Sequence, residues 1–154
     1  MAIAYTKVLK HLNVDFTVVG RSKEGTIKFK EQTGIEATPN GVSGWLKKGN
    51  TKADYGIIAV SFECLANTAI ELMEAGIRKV LLEKPAGLTA QEIKSVYEKA
   101  KETGTQIFVG YNRRFYSSVL RAQEMIKNDG GVKSFNLEFT EWNDKVKNHI
   151  KNSY

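Results

Sequence analysis

The chain has 154 residues, of which 42% are hydrophobic and 10% aromatic, enough for one soluble domain with an ordinary core. Its formal net charge is +6, but the 23 lysines and arginines are spread along the sequence, which argues against a nucleic-acid partner. No apolar run has the length of a membrane span and Cys64 is the single cysteine, so we exclude a membrane protein, an internal disulfide and a metal site, and we expect a cytoplasmic location.

The first part of the chain alternates between helical and strand-like patterns. Apolar residues at helical spacing predict a helix over residues 5–12, and the β-branched run at residues 14–20 predicts a buried strand. The elements that follow are a weak helix closed by Gly34, a brief strand at 35–37, a turn at 39–41 and a short helix at 42–48.

The middle of the chain repeats this alternation more strongly. Apolar runs predict strands at 54–62, 78–85 and 105–110. Thr89 and Glu92 form a capping box at the start of a helix that ends at Gly104. The remaining two helices are one that ends at Gly76 and one with Phe115, Val119, Ala122 and Ile126 on one side. We therefore predict an α/β fold, a doubly wound and mostly parallel Rossmann-like sheet.

The pattern changes near Gly130, where we place a domain boundary. Phe135, Leu137 and Phe139 alternate with polar residues, which is typical of a strand with one solvated face. We therefore predict a trailing strand within residues 131–142 and a polar tail at 143–154.

The most specific motif combination lies around position 84. Glu83, Lys84 and Pro85 end a β-branched strand and precede a capped helix, and one further strand leads into Tyr-Asn-Arg-Arg-Phe at 111–115. Over residues 2–142 the chain resembles the Gfo/Idh/MocA family of sugar and cyclitol dehydrogenases. The resemblance implies that residues 1–130 are an incomplete dinucleotide-binding domain. It also implies an oxidoreductase that transfers hydride between NAD(P) and a sugar-like substrate.

The resemblance further implies a site at the carboxyl ends of the strands, where open parallel sheets bind their ligands. Lys84 is the candidate catalytic residue, because a positive charge beside the reacting carbon stabilises a developing alkoxide. Arg113 is the candidate substrate contact. The candidate cofactor contacts are Gly20, Arg21 and Ser22, then Ala59, Val60, Ser61 and Phe62, then Glu83, Lys84 and Pro85, and finally Asn112.

The choice of cofactor depends on the end of the strand at 14–20. Relatives usually carry an acidic residue there for the ribose hydroxyls of NAD, whereas this chain has Gly20, Arg21 and Ser22. We therefore expect NADP to be preferred over NAD, the alternative being that Arg21 is a simple turn residue. Cys64 is expected to be buried and inert, and the isolated His11 and His149 form no catalytic set.

The resemblance also implies that both ends are truncated and that the fragment is inactive alone. Family members begin with a strand and a glycine-rich turn, whereas this sequence begins inside the first helix, and their acid/base group lies in a second domain. The absent central strand should leave a slot between the strands at 14–20 and 54–62. Three arrangements could fill this slot: the two neighbouring strands pair directly, a second copy of the chain donates a strand, or the native gene encodes the missing residues. We expect a homo-oligomer.

A second class of function remains open beside the oxidoreductase fragment. A catalytically silent remnant that keeps the scaffold could serve as a binding or oligomerisation module. Binding of a nicotinamide dinucleotide separates the two.

Overall fold

The computed structural model describes residues 1–49 and 53–138, and the strands among them are all parallel, as predicted for an α/β fold. The helices of this part are α1 (Ala2–His11), α2 (Lys23–Thr33), α3 (Gly41–Lys47), α4 (Leu65–Glu74), α5 (Ala90–Thr103) and α6 (Ser117–Asn128). The strands are β1 (Val18–Val19), β2 (Ala37–Thr38), β3 (Gly56–Ile58), β4 (Lys79–Leu82) and β5 (Gln106–Val109). Two short 3-10 turns span Phe62–Cys64 and Asn112–Phe115.

The chain divides into two compact units. The first, Met1–Tyr111, contains α1 to α5 and all five strands, and the second begins at Asn112 and contains α6. The boundary that the sequence pattern predicted at residue 130 lies within the second unit, and the predicted domain division stays a prediction.

The strands form two small parallel sheets instead of the one continuous sheet that was expected. β1 pairs with β2, and the second sheet has the order β3-β4-β5, with Ile58 opposite Leu82 and Leu82 opposite Val109. Within the described residues β1 and β3 are not hydrogen-bonded to each other. Of the three ways to fill the expected slot, direct pairing of its neighbours is therefore not the one adopted.

The core lies against one face of the β3-β4-β5 sheet, where α4 and α5 pack. The largest fully buried side chains are Ile58, Leu65, Met73, Ile77, Val80 and Leu82. Burying a side chain of this size stabilises a fold by about 1.5–3 kcal/mol. Because side chains alternate along a strand, Ile57 and Phe108 lie on the opposite face, where they are 39% and 58% exposed.

The helix boundaries follow from local capping. Thr89 accepts a hydrogen bond from the Glu92 amide (3.1 Å), as the predicted capping box requires, whereas Oε2 of Glu92 accepts from the Leu88 amide (2.6 Å), one residue before the cap, instead of from the Thr89 amide. Gly34 and Gly104 end α2 and α5 in the left-handed conformation, with φ of 70° and 67°. These positions were predictable because a cap involves only neighbouring residues.

The trailing strand differs from the prediction. Residues 134–138 are not in a strand, and Phe135 and Leu137 are 86% and 80% exposed. No neighbouring strand in the described part of the chain pairs with them, and a strand is stable only when its backbone groups are hydrogen-bonded to a partner. Phe139, His149 and the polar tail lie outside the described residues.

Candidate functional site

The carboxyl ends of β3, β4 and β5 meet at Glu83. The Glu83 amide donates to the Ile58 carbonyl (3.0 Å), and the Gly110 amide donates to the Leu82 carbonyl (2.8 Å). A methyl group placed on Gly110 would lie 3.4 Å from Oε1 of Glu83. The loop that begins at Ala59 and Val60 therefore starts beside Glu83, as the sequence predicted for the ends of adjacent parallel strands.

Glu83 is buried, with only 8% of its surface exposed, which is unusual for a carboxylate. Its Oε1 accepts a hydrogen bond of 2.6 Å from the hydroxyl of Tyr5 in α1. Burial, this hydrogen bond and the charge of Glu83 raise the pKa of Tyr5 to about 12, so the phenol remains a donor at neutral pH. The amino-terminal half of α1 therefore lies close to the end of β4, because the Tyr5 side chain alone spans the distance between them.

Tyr5 is a site residue that the sequence analysis missed. Its position on the apolar side of α1 indicated packing alone. The available signal was its phenolic hydroxyl, which usually finds a partner when tyrosine is buried in a core. Nothing in the sequence indicated that the partner would be Glu83.

Lys84 is exposed at the tight turn that follows β4. The Ala86 amide donates to the Glu83 carbonyl (3.1 Å), the Lys84–Pro85 peptide is cis, and Ala86 has a φ of +79°. Among the described residues no acceptor or acidic group pairs with the Lys84 ammonium. This charge is therefore available to a ligand at the end of β4.

Arg21 connects the end of β1 to the turn after β3. Its Nη1 donates to Sγ of Cys64 at 2.6 Å. Cys64 is partly buried and in contact with a cation, which corrects the prediction that it is fully buried, whereas its predicted inertness stays a prediction. This contact brings the loops at 20–22 and 61–64 together.

The backbone groups of Gly20 and the hydroxyl of Ser22, on either side of Arg21, are already hydrogen-bonded within the protein. The Gly20 amide donates to the Thr38 carbonyl (2.8 Å), and the Gly20 carbonyl accepts from the Gly41 amide (2.9 Å). The Ser22 hydroxyl caps α2 by accepting from the Gly25 amide (3.0 Å). Of these three predicted cofactor contacts, Arg21 is the one with several uncommitted donors, because a guanidinium carries five N–H groups.

The loop after β3 contains a polar atom without a partner. The hydroxyl oxygen of Ser61 is buried and has no hydrogen bond within the described residues. Phe62 is exposed beside it, and Val60 packs at the rim of the core. A buried hydroxyl is nearly always hydrogen-bonded, so the Ser61 side chain is a candidate donor or acceptor for a group bound at this loop.

Asn112 and Arg113 lie in the second unit, in the 3-10 turn Asn112–Phe115, and both are exposed. The neighbouring guanidinium of Arg114 lies over the Phe115 ring, 5.6 Å from its centre. The roles predicted for Asn112 and Arg113 remain predictions.

The groups at these strand ends fit an anionic dinucleotide. The amino-terminal end of a helix favours an anion, and α1 contacts the end of β4 through Tyr5. Arg21 and Lys84 supply positive charge, and Ser61 supplies an unused hydroxyl. The residues that the structure describes include no cluster of three or more metal-ligating side chains, and none of their helices is long and apolar enough to cross a bilayer.

Comparison with known proteins gives one family and a set of structural neighbours. The family model described as "Oxidoreductase family, NAD-binding Rossmann fold" (Gfo/Idh/MocA) matches residues 5–111. No curated protein matches the chain in sequence.

Three of the solved structures that resemble the chain are dehydrogenases. The WlbA dehydrogenase of Chromobacterium violaceum, in complex with NADH and UDP-GlcNAcA, has a TM-score of 0.71 and 20% identity, over 83% of this chain and 37% of its own. The WlbA dehydrogenase of Bordetella pertussis has a TM-score of 0.68 and 22% identity, over 83% and 39%. The myo-inositol 2-dehydrogenase of Lactobacillus plantarum has a TM-score of 0.64 and 21% identity, over 76% of this chain and 34% of its own. At these identities the likeness shows the fold, and the chain spans well under half of each neighbour.

Proposed function

Because the chain belongs to the Gfo/Idh/MocA oxidoreductase family with its NAD-binding Rossmann fold, we propose that the ends of β1, β3 and β4 hold a nicotinamide dinucleotide for hydride transfer with a sugar-like or cyclitol substrate. The observation that carries the proposal is the exposed ammonium of Lys84 at the end of β4, which pairs with none of the described residues and lies close to the buried Glu83 that α1 contacts. A neighbour bound to NADH and UDP-GlcNAcA and an inositol dehydrogenase support this substrate class.

Each group of the site has a role in this proposal. The amino-terminal end of α1 holds the pyrophosphate through the helix dipole, and the loop containing Ser61 contacts the dinucleotide. The nicotinamide, when bound, supplies the hydride chemistry. Lys84 places a positive charge where oxygen becomes anionic as the alcohol or ketone reacts. Arg113 contacts the substrate, because a guanidinium matches carboxylate or phosphate groups of a sugar derivative.

We further propose that NADP is preferred over NAD. Arg21 follows β1 directly, where a 2′-phosphate would be recognised, and its guanidinium retains donors beyond the one that contacts Cys64. The described part of this loop, residues 20–22, offers no carboxylate to accept the ribose hydroxyls of NAD.

The test of the function and of the preference is one titration, in which the nicotinamide fluorescence of NADPH and NADH is followed as the purified chain is added. We expect micromolar binding of NADPH. Arg21→Ala should weaken NADPH binding about 10-fold, because one charge-assisted hydrogen bond is lost, and should leave the affinity for NADH unchanged. Arg121→Ala, which removes an exposed arginine paired with Glu124 on α6, is the control for charge. Equal affinities for the two cofactors would remove the preference.

The same titration separates the enzyme fragment from the silent remnant. Absence of binding for both cofactors would contradict the proposed function and favour a scaffold retained as an interaction module. If binding is found, Lys84→Ala should weaken it about 10-fold, the contribution of one hydrogen bond from a charged group, and should abolish turnover in the full-length enzyme, because the positive charge beside the reacting oxygen is lost.

A homo-oligomer and a cytoplasmic location complete the proposal. Exposed apolar side chains in the second unit support self-association, among them Phe115, Leu120, Met125, Phe135 and Leu137. Sedimentation of the purified chain measures its mass in solution, and a monomer at micromolar concentration would contradict the oligomer.

A further inference from the structure

A hydrogen bond between residues 78 positions apart joins α1 to the end of β4. It runs from the Tyr5 hydroxyl to Oε1 of Glu83, with a length of 2.6 Å. The proposed function assigns roles to the amino-terminal end of α1 and to the Lys84 ammonium, but none to the Tyr5 hydroxyl. Its presence therefore calls for a reason of its own.

Burying the Glu83 carboxylate costs free energy, because a charged group loses its contact with water. It is 8% exposed, and Tyr5 is the side chain that donates to it within the described residues. A buried carboxylate that loses its donor is strongly destabilised, because neither water nor another group replaces the bond. The pair is thus a specific, short contact that fixes both of its members.

The backbone of Glu83 is held by hydrogen bonds as well. Its amide donates to the Ile58 carbonyl at the end of β3 (3.0 Å), and its carbonyl accepts from the Ala86 amide (3.1 Å). Gly110, at the end of β5, lies against the carboxylate. Because Lys84 is the next residue, whatever fixes Glu83 also fixes the backbone from which the Lys84 side chain extends.

We propose that Tyr5 is a positioning residue, which holds the amino-terminal half of α1 at a set distance from Lys84 so that one dinucleotide reaches both. This inference rests on the proposed function, in which α1 takes the pyrophosphate and Lys84 borders the nicotinamide. Without the phenol, α1 stays attached to α2, where Lys10 donates to the Thr33 carbonyl (3.2 Å). Its distance to the end of β4 is then no longer fixed.

The test compares a whole cofactor with its nicotinamide-free part. Calorimetric titration of the full chain with NADH and with ADP-ribose is carried out for wild type, Tyr5→Phe and Tyr97→Phe. Tyr5→Phe should weaken NADH about 10-fold, the contribution of one hydrogen bond to a charged group, and leave ADP-ribose within about twofold. Tyr97→Phe changes an exposed tyrosine of α5 in the same way and should alter neither affinity.

The other possible outcomes distinguish failure of the positioning role from failure of the proposed function. Equal weakening of NADH and ADP-ribose in Tyr5→Phe, or no weakening of either, overturns the positioning role and leaves the cofactor site intact. A wild-type chain that binds neither ligand contradicts the proposed function, and with it this inference.

A second variant keeps the inference testable if Tyr5→Phe does not fold. Glu83→Gln retains an oxygen acceptor for the phenol but removes the charge, so it should keep the ratio of NADH to ADP-ribose affinity within about threefold of wild type. Carbon NMR of labelled tyrosine should show the pKa of Tyr5 falling from about 12 in this variant. A Tyr5 pKa that does not respond to Glu83→Gln, or a ratio that falls about 10-fold, overturns it.

Discussion

The candidate site is defined, residue by residue, by which polar groups are already paired. The amide and carbonyl of Gly20 complete the β1 and β2 ends, and the Ser22 hydroxyl caps a helix. Arg21 uses one N–H on Cys64 and keeps the others, while Lys84 has no described partner. In the proposed site the charges that a dinucleotide would meet are therefore those of Arg21 and Lys84.

The Tyr5–Glu83 bond should make stability depend on pH in the alkaline range. The folded-state pKa of Tyr5, about 12, lies above its unfolded value of 10.0, so the contribution of the bond is fully present below pH 10 and is lost as pH rises through 12. Wild type should be more stable than Tyr5→Phe to the same extent from pH 7 to 9, and the difference should shrink between pH 10 and 12. Urea unfolding at each pH measures this, and a constant difference up to pH 12 would contradict the assigned pKa.

The close approach of Gly20 to α2 gives a second expectation for a single residue. A Cβ at position 20 would lie 2.6 Å from Cγ2 of the buried Thr26. Gly20→Ala should lower the free energy of unfolding by about 1–3 kcal/mol, the cost of overpacking. Thr26→Ser removes the clashing methyl group, so the double variant should recover most of the loss. A double variant no more stable than Gly20→Ala would show that the strain lies elsewhere.

The elements that the sequence predicted best are those specified by near neighbours in the chain. The Thr89 and Glu92 capping box and the helix-ending glycines are local, and their positions agree with the structure. Strand lengths were overestimated, since the run at 14–20 contributes only Val18–Val19 to a sheet. An apolar run indicates burial, but only residues opposite a partner strand enter the hydrogen-bonded ladder.

The site could be predicted only in part, for the same reason. Parallel topology placed the ends of β3 and β4 together, as they are in the structure. The contacts from Tyr5 to Glu83 and from Arg21 to Cys64 join residues 78 and 43 positions apart, and they depend on how whole helices and loops pack. No local pattern encodes such a separation.

The capping box predicts a measurable cost for the start of α5. Thr89→Ala removes the hydroxyl that accepts from the Glu92 amide and should lower the free energy of unfolding by about 1 kcal/mol. Ser95→Ala is the matched control, because it deletes a mid-helix hydroxyl of α5 that bonds the Gln91 carbonyl and should change stability by less than about 0.5 kcal/mol. Thermal unfolding compares them, and equal costs would contradict a special role for the cap.

At the scale of the whole molecule, one compact unit carries the family signature. The family model matches residues 5–111, and the first compact unit ends at Tyr111. Within it, the Arg21–Cys64 contact links the end of the small β1-β2 sheet to the loop after β3, and Tyr5–Glu83 links α1 to the end of β4. The chain spans 34% to 39% of the dehydrogenases compared above.

Backbone NMR of the labelled chain during titration with NADPH tests the central claim most directly, because it shows where the cofactor binds. We expect the largest amide shifts in the first turn of α1 and at Arg21, Ser61 and Lys84, which follow or contact the ends of β1, β3 and β4. Shifts confined to the opposite, amino-terminal ends of the strands, or a spectrum unchanged at millimolar NADPH, would contradict it.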